Sequence, residues 1–312
     1  MNKFKYILIV ITIGLGLSSC SDSFLDTESM TNLNENNFYK TLEDMEMALV
    51  GCYDGYQRTT SDGGVSFYLT SEMLSDDCFG GAGNTDARNY QVIDRFDISQ
   101  SPSDNNIFNQ TWTSYYAGIF RCNKLLQKME EVDWGEEYTS VINRIAGETR
   151  FLRALMYFDL ARLFERVPLL TGVTTENVSQ ADPEDTYKLI VEDLKFATNN
   201  IPANTYPKAE AEENDGRVTP FAAKALLARV YLFYTGYYGK DNLDITKAEV
   251  LAGLEDIIDS QEYDLVENFK SLWPASSYIP NEEKNTLDKS GYAGEGNIEV
   301  VFAQKFNNTS NY

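Results

Sequence analysis

The side chains that carry out most acid–base and nucleophilic catalysis are scarce in this sequence. The 312 residues contain no histidine, which removes the Ser-His-Asp and Cys-His mechanisms and most catalytic zinc sites. Adjacent acids occur at Asp76-Asp77 and Glu282-Glu283, but a glycosidase needs two carboxylates that face each other across a substrate bond. With 48 acidic residues such neighbours are common, so we expect no enzymatic activity.

The sequence also lacks the patterns that hold nucleotides or metal ions. The run Gly80-Gly81-Ala82-Gly83 has no flanking strand and helix that would make it a phosphate-binding loop. No acidic stretch has the EF-hand spacing that binds calcium. A net charge of −22 repels phosphate backbones, so nucleic acid is not an expected partner. We expect neither a cofactor nor a metal site.

Possible ligand contacts concentrate in an irregular stretch at residues 58–105. Glycine, asparagine, aspartate and serine interrupt this stretch, and long irregular segments inside a compact domain are usually functional or mobile. The chain also contains 20 Tyr, 17 Phe and 3 Trp residues. Such rings suit a sugar-contacting surface, but they suit helix packing as well, and packing is the simpler interpretation of any single ring.

The helix that must position these loops is predicted at residues 147–170, GETRFLRALMYFDLARLFERVPLL. After its first residue it has no Pro or Gly before Pro168, and Phe151, Leu155 and Phe158 recur at helical spacing. A second apolar face predicts that the helix is buried between neighbours. We expect it to stop at Pro168, and its arginines to pair with acids or reach water.

Other helical patterns predict helix–turn–helix pairs around this helix. Thr219 and Pro220 have the residue types of an N-cap and a first helical turn. Pairs of about 40 residues are close to tetratricopeptide units in size. The sequence therefore predicts an all-α fold with long irregular loops and little strand, and residues 297–306 have a strand-like pattern. The predicted helices cover about residues 41–57, 109–131, 147–170, 183–200, 219–236 and 246–260.

The pattern of the N-terminus indicates a targeting segment. Lys3 and Lys5 precede an apolar run at residues 6–17, which is shorter than the roughly 20 residues needed to span a bilayer. The run ends in Leu-Ser-Ser-Cys20, a sequence that resembles a lipobox. We expect a lipoprotein signal peptide at residues 1–19, lipidation of Cys20 and a tether at residues 20–40. An ordinary secretion signal whose cleavage site abuts a cysteine is the alternative.

Three further cysteines, Cys52, Cys78 and Cys122, are too few for a complete disulfide framework. Their spacing matches no metal motif. Cys52 and Cys122 fall on predicted helices, where a buried free thiol is the expected state. At most one disulfide bond is therefore expected.

Several of these segments resemble the SusD/RagB family of outer-membrane nutrient-binding lipoproteins of Bacteroidetes. The resemblance rests on residues 147–170, on GRVTPFAAKALLARVYLFYTG at residues 216–236, on the pattern W...Y..IFRCNKLL from Trp112, and on the N-terminal SSCSDSFLD. It implies a SusD-like α-α superhelix over residues 41–312. Family members continue into a long C-terminal portion, so this helical domain is expected to be incomplete at its C-terminus.

The resemblance also implies a function. It implies a non-catalytic lipoprotein, exposed on the cell surface at the outer membrane, that captures oligosaccharides or polysaccharides. The captured glycan would pass to a SusC-like TonB-dependent transporter. Two other classes stay open: a helical-repeat lipoprotein that binds peptide or protein, and a secreted hydrolase.

A glycan site needs a flat aromatic face for a pyranose ring and planar polar groups for its hydroxyls. In the family, the glycan is held by a loop near the N-terminal helices and by aromatics after the second signature, and two loop-rich stretches match by position. The alternative is that Phe79 and Tyr90 fill gaps under a long loop. The expected glycan contacts are Asp76, Asp77, Phe79, Asn84, Arg88, Asn89 and Tyr90 in the first stretch and Trp273, Tyr278 and Tyr292 in the second.

Overall fold

The computed structural model describes residues 37–61, 66–75, 77–83, 85–86, 88–97, 108–208, 216–273, 279–281, 286–288 and 291–306. Helices account for most of these residues, and the regular strands among them form a single antiparallel pair. The predicted all-α fold class is therefore confirmed.

The helices follow one another along the chain with short 3-10 turns between some of them. The α-helices are α1 (Leu42–Ser61), α2 (Phe67–Leu74), α3 (Arg88–Asp94), α4 (Asn109–Glu130), α5 (Thr139–Phe164), α6 (Pro183–Asn200), α7 (Pro220–Tyr238) and α8 (Lys247–Asp259). Short 3-10 helices cover Glu136–Tyr138 and Phe269–Leu272, and the strands are β1 (Ile279–Asn281) and β2 (Thr286–Asp288).

The chain divides into two compact units, Met1–Thr41 and Leu42–Tyr312. Of the first unit the structure describes residues 37–41. The signal peptide, Cys20 and most of the tether lie outside the described residues and stay predictions. None of the helices in the described part of the chain combines the length and hydrophobicity that a bilayer span requires.

The long helices pack as successive pairs. α1 packs on α4, α5 on α6 and α7 on α8, while contacts from α4 to α5 and from α6 to α7 join one pair to the next. Stacked helix pairs of this kind bury a continuous core that no single pair can bury alone. The two pairs expected from the sequence, α5 with α6 and α7 with α8, are both present.

Helix α5 lies at the centre of this core. Every residue from Arg144 to Ala161 except Arg150 is buried, as the two apolar faces of its sequence predict. The helix contacts α1, α4 and α6. Because three neighbours depend on it for burial, α5 is the element that holds the helical pairs together.

The limits of α5 differ from the prediction. The helix begins at Thr139, where its first residues are polar and exposed, and it ends at Phe164 instead of Pro168. Glu165 leaves the helix with a φ of 60° and a ψ of −65°. The chain therefore turns before the proline, since a residue that precedes proline is disfavoured in the helical conformation.

Buried arginines in the core are paired with acids, as expected. Arg153 donates two hydrogen bonds to Asp193, each of 2.7 Å, and a third of 2.7 Å to Asn123 Oδ1. These bonds link α5 to α6 and α4. Breaking a buried pair leaves an uncompensated charge, so this contact fixes how the three helices fit together.

A second buried polar cluster surrounds Glu148, whose side chain is fully buried. It accepts hydrogen bonds from Tyr53 Oη at 2.6 Å, Arg144 Nη1 at 2.6 Å and Tyr206 Oη at 2.8 Å. Glu46 on α1 joins the cluster through an ion pair with Arg144. The cluster therefore ties α1 and the loop after α6 to the centre of α5.

The start of α7 agrees with the sequence. Thr219 is the N-cap residue and accepts a hydrogen bond of 3.0 Å from Ala222 N, and Pro220 occupies the first turn. Helix α8 begins with a capping box in which Thr246 and Glu249 bond each other's backbone. These local signals are strong because each side chain satisfies an otherwise unpaired backbone N–H.

The strand expected at residues 297–306 is wrong, since this segment forms turns and irregular backbone. Its groups bond to helices and loops instead. Lys208 Nζ donates to Val300 O over 2.7 Å, and Phe302 packs edge-on against Phe151 of α5 at 5.1 Å. The apolar residues of this segment therefore contact the helical core and do not pair in a sheet.

The cysteines of the described residues are free. Cys52 and Cys122 are buried, as expected, and Cys78 is exposed. A hydrogen bond with Cys122 and burial raise the pKa of the Cys52 thiol. The two thiols contribute to the contact between α1 and α4 as small apolar groups.

Candidate functional site

The first loop-rich stretch is anchored by α2 to the last turns of α5. Ser66 caps α2 by accepting a hydrogen bond of 3.1 Å from Leu69 N. The Arg162 guanidinium lies over the Phe67 ring, 3.6 Å from its centroid, and donates to Asp159 Oδ1 over 2.5 Å. Stacking of a desolvated guanidinium on a ring is favourable, so the buried helix fixes where this loop begins.

The glycine run after α2 is held as a defined turn by two side chains. Asp86 accepts hydrogen bonds from Ala82 N at 2.9 Å and from Gly83 N at 2.7 Å, and these bonds lower the pKa of its carboxyl. Gln91 Nε2 donates to Gly83 O over 2.7 Å and to Asp86 O over 2.6 Å. The loop is therefore organised by its own hydrogen bonds.

Two positions in this turn require glycine. A Cβ atom on Gly80 would lie 2.6 Å from the Tyr90 carbonyl oxygen, and Gly81 has a φ of 136°, which L side chains rarely adopt. The close approach brings the loop against α3. Phe79, immediately before the turn, leaves 50% of its surface exposed, so the turn presents this ring to solvent.

The second loop-rich stretch presents two more rings. Asn268 caps the 3-10 helix Phe269–Leu272 by accepting from Lys270 N over 3.1 Å. Phe269 is 70% exposed and Trp273 is 56% exposed, and their ring centroids lie 6.4 Å apart at 68°. Ala293 N donates to Ser271 O over 2.9 Å. Edge-to-face neighbours of this kind hold an indole in place while its face stays accessible.

Residues 23–232 match the model of a SusD-like family described as "Starch-binding associating with outer membrane". The match covers more than half of the sequence. The chain belongs to this SusD-like family. The resemblance found in the sequence is thereby confirmed, and with it membership of a family associated with the outer membrane.

SusD-like relatives extend the match along nearly the whole chain. It is 26% identical over 294 residues to a SusD-like protein of Bacteroides ovatus, and this alignment covers 90% of this chain and 48% of that protein. It is 24% identical over 303 residues to SusD-like protein P38 of Formosa agariphila, which covers 95% and 52%. The chain spans about half the length of these curated relatives.

Solved SusD-like structures share the helical architecture. A structure described as a laminarin binding SusD-like protein has a TM-score of 0.60 at 31% identity, covering 75% of this chain and 48% of that chain. Surface glycan-binding protein A from Bacteroides thetaiotaomicron has a TM-score of 0.62 at 22% identity, covering 75% and 46%. At the lower identity the likeness shows the fold alone, which confirms the tetratricopeptide-like helix pairs.

In the first stretch of this SusD-like protein, some of the predicted glycan contacts are exposed and others are packed against neighbouring residues. Asp77 and Phe79 are exposed. Tyr90 is half-buried and packs against a small apolar cluster formed by Met73 and Ile93. Tyr90 therefore has a packing role, whereas Phe79 offers a face to a ligand. Asp76 and Asn84 lie outside the described residues, as do the side chains of Arg88 and Asn89, whose backbone belongs to α3.

In the second stretch Trp273 offers the broadest exposed ring. Tyr292 is half-buried, and Tyr278 lies outside the described residues. The predicted glycan contacts of both stretches stay predictions. Among the described side chains, Trp273 and Phe79 have the exposure that a stacking surface needs.

Sequence reasoning missed three residues that shape these loops. Phe269 supports Trp273, while Asp86 and Gln91 hold the glycine turn. A signal for Asp86 was available, because an aspartate that follows a glycine run commonly accepts from nearby backbone N–H groups in a turn. No comparable signal existed for Phe269, since an isolated Phe in a loop is indistinguishable from a packing residue.

Proposed function

We propose that this SusD-like protein is a non-catalytic, cell-surface glycan-binding lipoprotein. It captures oligosaccharides and passes them to a SusC-like TonB-dependent outer-membrane transporter. The observation that carries the proposal is the exposed pair Phe269 and Trp273, together with the exposed Phe79 on an ordered turn. Exposed large rings on loops that a rigid helical frame positions suit the apolar face of a sugar.

The substrate class we propose is glucan. The family description names starch, and a structure with 31% identity is described as laminarin binding. Both polymers consist of neutral glucose units, whose rings have one apolar face. Maltooligosaccharides and laminarioligosaccharides are therefore the first ligands to test.

The binding mechanism follows from ring stacking and preorganisation. In the second stretch the Trp273 indole would cover the apolar face of a pyranose ring. In the first stretch Phe79 would do the same, and the exposed Asp77 would accept hydrogen bonds from the hydroxyls of a sugar bound there. The hydrogen bonds of Asp86 and Gln91 order the first loop before any ligand arrives. Such ordering reduces the entropy that binding must otherwise overcome.

Affinity electrophoresis tests this proposal directly. The purified protein is run through gels that contain laminarin, starch or xylan, and binding is then quantified by calorimetry with laminarihexaose and maltohexaose. We expect retardation by at least one glucan and no release of reducing ends during incubation. Migration unaffected by every polysaccharide would contradict glycan binding, and retention on an immobilised peptide library would then favour the peptide-binding alternative.

Lipidation of Cys20 is the second part of the proposal. The short apolar run and the Leu-Ser-Ser-Cys20 ending support it. Replacing Cys20 with Ser should move the protein from the membrane fraction to the soluble fraction and remove the mass of the lipid. Unchanged membrane retention without a mass difference would show that the anchor is absent.

Partnership with a transporter is the third part. A lipid tether would keep the protein beside the outer membrane, and the family resemblance supplies the SusC-like partner. We expect the contact to use helix faces and not the glycine turn. A pull-down from native membranes should recover a SusC-like barrel, and recovery of no such protein would count against the partnership.

A further inference from the structure

We propose that the protein has a second sugar-binding site, separate from the two loop-rich stretches. It lies in a cavity of about 440 Å³ lined by residues from the end of α5, the start of α6 and the end of α7. A volume of this size is in the range of small-ligand pockets. The proposal rests on the proposed glycan-binding function and adds a site to it.

A strained turn forms one rim of the cavity. Glu165 has a φ of 60° and a ψ of −65°, and Arg166 N donates to Phe164 O over 2.7 Å. This geometry is that of a γ-turn of the rare, strained form. Backbone strain of this kind is concentrated at ligand sites, and here it places Arg166 in an ion pair with Asp182 at the start of α6.

Two tyrosines, Tyr234 and Tyr238, form a second wall of the cavity. Tyr237 lies next to this wall, outside the cavity lining, and its ring centroid lies 4.8 Å from that of Tyr238 at 87°. Tyr237 is 67% exposed and stacks on Phe233 at 5.5 Å with an interplanar angle of 15°. A ring supported on one side and open on the other offers a face on which a pyranose ring can stack.

A buried tyrosine packs against the rings of this wall. Tyr187 is fully buried, and its ring centroid lies 5.0 Å from that of Tyr234 and 5.7 Å from that of Tyr238. Within the described part of the chain, its Oη atom has no hydrogen-bond partner. A buried polar atom without a partner is unusual and calls for an explanation, and a sugar hydroxyl admitted by a shift of Tyr238 would supply one.

The polar groups of the cavity favour a neutral ligand. Glu184 accepts from Lys188 Nζ over 2.7 Å and from Lys240 Nζ over 3.5 Å, and Asp182 is paired with Arg166. The acids that line the cavity outnumber its bases, which disfavours phosphates and acidic sugars. The remaining lone pairs and N–H groups suit the hydroxyls of a neutral hexose.

Two sites on one chain have a functional consequence. A polysaccharide long enough to reach both Trp273 and Tyr237 would bind through two linked contacts, so the second contact would form at a high effective concentration. The protein would then retain a long chain more tightly than a hexasaccharide. This difference distinguishes a two-site protein from a protein with the loop site alone.

The test compares Tyr237→Ala with Leu232→Ala in the full chain. Leu232 is on the same helix and is 65% exposed, so it controls for the loss of an exposed side chain. Affinity gels with laminarin and with starch, and calorimetry with laminarihexaose and maltohexaose, are the measurements. We expect Tyr237→Ala to weaken retardation about tenfold or more, as loss of a stacked ring does, while Leu232→Ala behaves as the native protein.

The outcomes separate the second site from the proposed function. If Tyr237→Ala and Leu232→Ala both migrate as the native protein while Trp273→Ala does not, the second site is wrong and glycan binding stands. If the native protein binds no glucan, both proposals are wrong. Tyr238→Phe keeps the ring and removes only its hydroxyl. If its unfolding midpoint is unchanged, weaker glucan binding by this variant would support the cavity. A double variant, Tyr238→Phe with Trp273→Ala, whose loss of binding equals the sum of the two single losses would also support it.

Discussion

Aromatic residues are used in opposite ways in the helical core and in the loops. Tyr115, Tyr157 and Phe158 of α4 and α5 are buried, whereas Phe269 and Trp273 expose 70% and 56% of their surfaces. The core rings fill the space between helices, where close packing stabilises the fold. An aromatic residue alone therefore does not indicate a ligand contact. The elements packed around it determine whether its ring is buried or exposed.

Charged residues show the same contrast. Arg153 in the core donates hydrogen bonds to Asp193 and Asn123, while Arg166 after α5 forms an exposed ion pair with Asp182. Buried charges without a partner are strongly unfavourable, whereas exposed pairs contribute little. Substitutions in the core should therefore change stability, and substitutions in the loops should change binding.

The largest effect is expected from Arg153→Met. This change leaves Asp193 buried without its bidentate partner, and Arg150 Nη1, 3.5 Å from Asp193 Oδ1, compensates only in part. Losing one member of a buried pair costs about 3–5 kcal/mol, and we expect the lower part of that range. Urea unfolding followed by circular dichroism measures the free energy of unfolding.

Arg166→Met is the matched control for this change. Its guanidinium is paired with Asp182 but is 54% exposed, so we expect little change in the free energy of unfolding, because solvent screens exposed ion pairs. Equal losses in the two variants would mean that burial does not distinguish the two ion pairs, and the contrast between core and loop would be lost.

A similar loss is expected from Leu155→Ala in α5. Leu155 is buried between helices, and removing a buried leucine side chain costs about 2–5 kcal/mol through lost burial and the cavity left behind. Leu251→Ala on α8, where the side chain is 52% exposed, serves as the control with little change. A loss below about 1 kcal/mol for Leu155→Ala would place α5 at the periphery.

A smaller, pH-dependent effect is expected from Glu46→Gln. Burial alone would raise the pKa of Glu46, but hydrogen bonds from Arg217 and Arg144 outweigh it and lower the pKa below its ordinary value of 4.5. A lowered pKa in the folded state stabilises the protein above the unfolded-state pKa, and this stabilisation is lost as the pH falls through the folded-state pKa.

The measurement is the difference in unfolding free energy between the native protein and Glu46→Gln across pH 3–6. Because the Glu46 side chain is 34% exposed, we expect only about 1 kcal/mol above pH 5, decreasing at lower pH. A difference that is constant with pH would show that the Glu46 carboxylate does not act through its charge.

Much of the helical core was predictable because its signals are local. Thr219 and Pro220 mark the start of α7, and the spacing of Phe151, Leu155 and Phe158 predicts burial of α5. The cap and the proline act on backbone groups of the first helical turn, and the apolar residues repeat with the helical period within a few residues of sequence. Their meaning therefore does not depend on distant parts of the chain.

The loops and the proposed second site depend on residues that are distant in sequence. Arg166, Glu184 and Tyr238 line one cavity but come from the ends of three elements. The pattern of residues 297–306 predicts a strand, yet Phe302 packs on Phe151 of a helix. Contacts of this kind follow from tertiary packing, which the period of a single segment does not reveal.

The central claim is that exposed loop rings bind glycan while the helical core only positions them. Calorimetric titration of Trp273→Ala beside the native protein, with laminarihexaose and maltohexaose, tests it most directly, with urea unfolding of both proteins in parallel. We predict that the variant unfolds as the native protein does and binds more weakly by about 1–3 kcal/mol, the contribution of one stacked ring. Native affinity in the folded variant, for a glucan that the native protein binds, would contradict the account.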